Sequence, residues 1–187
     1  MLYKNRQKFN SLSIKVGMIF CKIPLSPNQW TILSLIPAVL GLLATYYGNI
    51  SAAIILFAIT PFIDIIDGSV ARVMGRVTKL GAYLDTVIDR YIEAIMIVSV
   101  MLLGLPDFYL PIQFWIIALL FGSLMSTYAK AASAEKKIVQ EIEGHGIKGG
   151  ILEHTDRVIL LFVIFLLSLF VGKIYLTYIV IAMAILT

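Results

Sequence analysis

Apolar residues run through this 187-residue chain in long stretches broken only by short polar links, and that pattern leaves little choice of fold. Hydrophobic residues make up 60% of the sequence, where an ordinary soluble domain holds about 45–50%. A helix of roughly twenty apolar residues crosses the hydrocarbon core of a bilayer. The chain therefore reads as a polytopic membrane protein. The stretches predict spans near 28–47, 51–75, 81–104, 109–133, 155–171 and 174–187. Ahead of them, Lys4, Arg6, Lys8, Lys15 and Lys22 alternate with Leu2, Phe9, Leu12, Ile14, Val16, Ile19 and Phe20. That mixture suits an amphipathic helix lying in the membrane interface. The expected fold is all-α: an interfacial helix within residues 1–24 and six transmembrane helices within 25–187, forming one membrane domain.

Charge then predicts orientation, because basic residues concentrate in cytoplasmic loops. The N-terminal segment is basic, the link between spans two and three carries Arg76 and Lys79, and the link between spans four and five carries Lys130, Lys136, Lys137, Lys148 and Arg157. The opposite links hold little beyond Asp107 and Lys173. Both termini are expected on the cytoplasmic side of the cell membrane. The net charge of +4 is thereby assigned to topology and to phosphate ligands, not to nucleic acid. One cysteine, Cys21, excludes an intrachain disulfide and a cysteine-rich metal site. No cleavable signal peptide is expected, since the N-terminus lacks a short apolar core ending in small residues.

Four carboxylates interrupt this apolar background: Asp64, Asp67, Asp85 and Asp89. Ionisable groups at membrane depth cost about 2.5–3.5 kcal/mol each on insertion scales, so a cluster of them points to function. Asp64 and Asp67 are three apart and share a helix face; Asp85 and Asp89 are four apart and share another. The short link between these spans makes the helices antiparallel neighbours, so the pairs can converge on one cavity. Oxygen ligands without His or Cys favour hard cations, Mg²⁺ or Mn²⁺. Two such ions about 3.5–4 Å apart clamp an in-line displacement at phosphorus. Gly68, Ala71 and Gly81 leave room for a ligand to approach the backbone, and Arg72 offers a fork of donors suited to phosphate.

Read as a spacing, Asp64-x2-Asp67-Gly68-x2-Ala71-Arg72-x8-Gly81-x3-Asp85-x3-Asp89 resembles the signature of the CDP-alcohol phosphatidyltransferases, membrane enzymes of phospholipid biosynthesis. Upstream, Ser26-Pro27-Asn28-Gln29-Trp30-Thr31 resembles that family's S-P-N-x-x-T start of span one. The resemblance implies an alcohol attacking the lipid-bearing phosphate of a CDP-lipid and releasing CMP. It assigns the four aspartates to two divalent cations per site, with Asp89 also the base that takes the acceptor's proton. It assigns Gly68, Arg72 and Thr78 to the CDP moiety, with Asn28 and Thr31 lining the nucleotide site. It also implies a homodimer.

The acceptor is read from the second half. Asp89 is followed by Arg90, and Gly146-Ile147-Lys148-Gly149-Gly150-Ile151-Leu152-Glu153-His154-Thr155-Asp156-Arg157 resembles the G-x-x-E-R-x-E-R segment of inositol-phosphate-using members. His154 stands where Arg is usual, and Asp156 replaces Glu. A phosphorylated acceptor is dianionic and needs cations; Arg90, Lys130, Lys148 and Arg157 are the candidates. Inositol phosphate is the expected acceptor, with glycerol phosphate the runner-up and either CDP-diacylglycerol or CDP-archaeol as the lipid donor. Other roles stay open. Arg90 also reads as an ion-pair anchor, Lys148 and Arg157 as topology signals, and Glu93 as a support for Asp89 or a packing acid. His145 and His154 read as interfacial polar residues rather than metal ligands. A small ion or proton transporter is the alternative outside enzymology, but such a path predicts no glycine and arginine spacing.

Overall fold

The computed structural model describes residues 14–136 and 152–187. They are helical, with no strand beyond an isolated bridge between Phe108 and Leu110. A helical stretch at 14–20 (α1) is followed by α2 (Pro27–Leu33), α3 (Leu35–Tyr46), α4 (Ile50–Val73) and α5 (Lys79–Met101). Then come α6 (Ile112–Glu135), α7 (His154–Leu167) and α8 (Lys173–Leu186). Residues 1–13 of the expected interfacial helix lie outside the described residues.

Each apolar stretch read from the sequence falls on helix. Among the described residues three helical segments are long and apolar enough to cross a membrane: Pro27–Tyr46, Ile50–Val73 and Ile112–Glu135. α5 has 23 residues but carries Asp85, Asp89, Arg90 and Glu93. α7 and α8 have 14 residues each, about 21 Å at 1.5 Å per residue. Many large apolar side chains face outward, among them Ile55, Phe62, Phe114, Ile117 and Phe121. Water would penalise such a surface and lipid does not; the chain is a membrane protein.

Local chemistry sets the helix starts. Ser26 and Gln29 form a capping box ahead of α2, with Pro27 at the first helical position. Thr78 Oγ1 accepts from Gly81 N at 3.0 Å to open α5, and Asn49 Oδ1 accepts from Ala52 N at 3.1 Å to open α4. The first span breaks at Ser34 between α2 and α3. Pro37 lacks the N–H that would bond the Leu33 carbonyl, which accounts for the break.

The main core gathers α3, α4, α5, α6, α7 and α8 around Ala38, Phe57, Met96, Leu119, Leu161, Phe165 and Leu176. The rings of Phe57 and Phe165 lie 4.8 Å apart. Gly41 lets α3 press on α4: a Cβ there would sit 2.7 Å from Phe57 Cε1. A second cluster of Trp30, Ile66 and Val70 receives Val16 and Phe20, docking α1 onto α2 and α4. This cluster lies beside the charged ends of α4 and α5.

Candidate active site

The link from α4 to α5 is four residues beyond the α4 C-cap, Gly75 to Thr78. Gly75 takes φ +62° to make the reversal, a backbone conformation glycine adopts without a Cβ clash. The reversal sets Asp64 and Asp67 of α4 against Asp85 of α5. One carboxylate oxygen from each lies within 4.8 Å of the others. Asp67 is buried, and among the described residues its Oδ2 has no hydrogen-bond partner. Buried polar atoms are rarely left orphaned, and neighbouring carboxylates repel one another. A hard divalent cation, which takes oxygen ligands only, answers both problems. The donor set therefore fits Mg²⁺ or Mn²⁺. Asp89 lies outside this group of three; its carboxylate turns instead toward His154, with Oδ2 3.4 Å from Nε2.

Two cavities flank the aspartates. The first, about 330 Å³, is walled by Asn28, Thr31, Gly68, Ala71, Arg72, Thr78 and Gly81, together with Asp67 and Asp85. Every residue expected at the CDP-lipid thus meets on one cavity. The wall is tight at Gly81, where a Cβ would lie 3.2 Å from Thr78 Oγ1 and 3.3 Å from Asn28 Oδ1. Arg72 folds back over Gly68, with Nη1 3.5 Å from where a Cβ would be, and its Nη2 is 3.5 Å from Ser69 Oγ. Arg76 also lines this cavity. Its sequence signal, a basic residue in the stretch between Arg72 and Gly81, reads equally well as a topology signal.

The second cavity, about 410 Å³, is reached by Asp64, Asp89 and His154 at its polar end, and is otherwise walled by Phe57, Pro61, Met96, Val158 and Phe162. Behind the polar end lies Glu93, buried at 1% exposure. Its Oε1 accepts from Arg157 Nε at 2.6 Å, and its Oε2 accepts from Arg90 Nη1 at 2.7 Å. His154 Nδ1 stands 2.9 Å from the same Oε2. Arg157 also donates from Nη1 to the Leu152 carbonyl at 2.8 Å.

Arg157, expected at the acceptor phosphate, has a side chain 2% exposed and paired with Glu93, so it ties α7 to α5 from within. Arg90 pairs with Glu93, as an ion-pair anchor would, and among the described residues its buried Nε has no hydrogen-bond partner. Lys130 is exposed near the end of α6, and no ion pair joins it to this network among the described residues. Lys148 lies outside the described residues. His154, read as an interfacial residue, is instead the bridge between Asp89 and Glu93.

Comparison with known proteins agrees with this geometry. Residues 24–187 match the model of the CDP-alcohol phosphatidyltransferase family. The archaetidylinositol phosphate synthase of Pyrococcus horikoshii is 31% identical over 166 residues, covering 87% of this chain and 81% of that protein. The crystal structure of the Mycobacterium tuberculosis phosphatidylinositol phosphate synthase PgsA1 with CDP-DAG bound superposes with a TM-score of 0.74 at 23% identity, covering 94% of this chain and 87% of that one. The same protein in complex with manganese and citrate gives 0.72 at 24% identity, covering 93% and 82%. At that identity the two structures establish likeness of fold. The family match establishes the class of enzyme: the chain belongs to the CDP-alcohol phosphatidyltransferases.

Proposed function

We propose that this enzyme transfers the lipid phosphate of a CDP-lipid, CDP-diacylglycerol or CDP-archaeol, to inositol phosphate and releases CMP. The observation that carries the reading is the aspartate group standing between two cavities, one lined by Asn28, Thr31, Arg72 and Thr78, the other reaching Asp89. The names of the relatives, inositol phosphate synthases of archaeal and bacterial lipids, support the acceptor.

In this reading the first cavity holds the nucleotide, with Arg72 on its phosphates and Gly68 and Gly81 admitting the CDP close to the backbone. Asp64, Asp67, Asp85 and Asp89 hold two divalent cations, which supply charge stabilisation at the transferring phosphate. Asp89 accepts the proton of the acceptor hydroxyl. The hydroxyl oxygen bonds to the lipid-bearing phosphorus as the bond from that phosphorus to the CMP oxygen breaks. Arg90, Lys130 and Lys148 attract the acceptor phosphate, and Arg157 acts through Glu93. The proposal extends to six membrane spans with both termini and the site on the cytoplasmic face of the cell membrane, and to a homodimer.

The test is CMP release by detergent-purified protein from CDP-diacylglycerol and CDP-archaeol against a panel of acceptors. Inositol phosphate is expected to outpace glycerol phosphate, serine and free inositol. Faster reaction with glycerol phosphate would overturn the acceptor while leaving the chemistry. No CMP release with any acceptor would overturn the transfer itself.

A further inference from the structure

We propose that His154 is a positioning residue for the transfer, one that holds the Asp89 carboxylate at the polar end of the second cavity by pinning it to Glu93. The inference rests on the reading of Asp89 as the group that takes the acceptor's proton.

Three observations carry it. The imidazole stands between two carboxylates, Nε2 3.4 Å from Asp89 Oδ2 and Nδ1 2.9 Å from Glu93 Oε2. The far end of this chain is immobile: Glu93 is 1% exposed and gripped by Arg157 and Arg90 at 2.6 and 2.7 Å. The near end is not, because Asp89 is 30% exposed and lies outside the close group of Asp64, Asp67 and Asp85. A side chain that is 30% exposed at the edge of a cavity and outside that close group can take more than one rotamer. The ring holds it to one, transmitting the rigidity of the buried Glu93–Arg157 pair across the α5–α7 seam.

The experiment compares His154→Phe, which keeps the ring's shape without its nitrogens, with His154→Gln, which keeps a donor within reach of Asp89. For H154F, kcat for CMP release from CDP-diacylglycerol with inositol phosphate is expected to fall about 10–100-fold, the usual loss when a partner that orients an active-site ligand is removed. The KM for CDP-diacylglycerol is expected to stay within about twofold, since the nucleotide cavity is untouched. H154Q is expected to recover most of the rate. Crystal structures of the two variants without metal give an independent readout: Asp89 displaced in H154F and in place in H154Q. An active wild type with H154F within about threefold of its kcat, or with H154Q as impaired as H154F, overturns the role of His154 alone. A wild type that releases no CMP overturns the transfer reading and this inference with it.

Discussion

Truncating Glu93 should cost this protein more stability than any other single removal of a charge. Glu93 is 1% exposed and its principal partner, Arg157, is 2% exposed. Glu93→Ala leaves the Arg157 guanidinium buried with, among the described residues, only the Leu152 carbonyl, 2.8 Å from Nη1, to accept from it. Breaking a buried ion pair by removing one partner costs about 3–5 kcal/mol, because the remaining charge is uncompensated. At about 2–4 °C per kcal/mol for a chain of this size, the midpoint of thermal unfolding should drop by about 6–20 °C. Arg157→Ala should cost less, about 1.5–3 kcal/mol, the worth of a hydrogen bond to a charged group. The reason is that Glu93 keeps Arg90 Nη1 at 2.7 Å and His154 Nδ1 at 2.9 Å. The double variant should lose less than the two singles together, by about 0.5–3 kcal/mol, since the second removal finds its partner already gone. The assay is thermal unfolding in detergent, followed by the fluorescence of Trp30 and Trp115. A Glu93→Ala midpoint within 2 °C of wild type, on the order of 1 kcal/mol or less, would refute the argument. So would an Arg157→Ala variant of native stability whose only defect is a raised KM for the acceptor, because that would return Arg157 to the acceptor phosphate.

Asp67→Asn should abolish CMP release and weaken Mn²⁺ binding by at least about tenfold, an isosteric loss of charge at a buried oxygen that has no other partner; titration calorimetry with Mn²⁺ showing wild-type affinity would refute the metal assignment. Gly81→Val places atoms against Thr78 Oγ1 and Asn28 Oδ1, 3.2 and 3.3 Å from a Cβ. It should raise the KM for CDP-lipid about tenfold, or about 1.4 kcal/mol, while an unchanged KM would remove Gly81 from the nucleotide cavity. Gly41→Ala drives a methyl to within 2.7 Å of Phe57 Cε1 and should destabilise by about 1–3 kcal/mol; adding Phe57→Leu should restore part of that in a thermal unfolding measurement.

What the sequence made legible is what local chemistry decides. The apolar runs near 28–47, 51–75 and 109–133 fall on the helical segments Pro27–Tyr46, Ile50–Val73 and Ile112–Glu135, because run length and hydropathy are local properties. The spacing of three between Asp64 and Asp67 fixes a shared face on any helix, and a short reversal brings the next helix alongside. The Glu93 network could not be read the same way. His154 and Arg157 reach Glu93 from 61 and 64 residues away, and no periodicity within α5 or α7 encodes which helices adjoin. A buried arginine also has no signature of its own: Arg157 near the start of an apolar run looks the same whether it marks topology, binds phosphate or closes an ion pair. The transmembrane reading is limited by a related effect. α5 is long enough to span, yet the charges that make it interesting remove it from the helices recognised by hydropathy.

The placement of the aspartates at a seam, with Asp67 and Asp85 on one cavity and Asp64 and Asp89 on the other, suits a displacement at phosphorus. In such a reaction the incoming oxygen and the departing oxygen lie on opposite sides of the atom they exchange. A site with one pocket would have to hold both substrates on the same side of the phosphate. In the proposed mechanism the polar wall of Asn28, Thr31, Arg72 and Thr78 offers the nucleotide one approach, and the acceptor takes the Asp89 side. The apolar wall of Phe57, Met96, Val158 and Phe162 continues from that polar end, so a phosphate attached to lipid chains can lie at the seam without drawing those chains from hydrocarbon. The same geometry explains how so many charges persist in an apolar bundle. Asp64, Asp67 and Asp85 share a cation-sized space, and Glu93 is neutralised by the arginines that also brace α5 against α7. In the proposed mechanism stability and catalysis are joined through one residue pair, Asp89 and His154, 3.4 Å apart, where the braced network meets the second cavity.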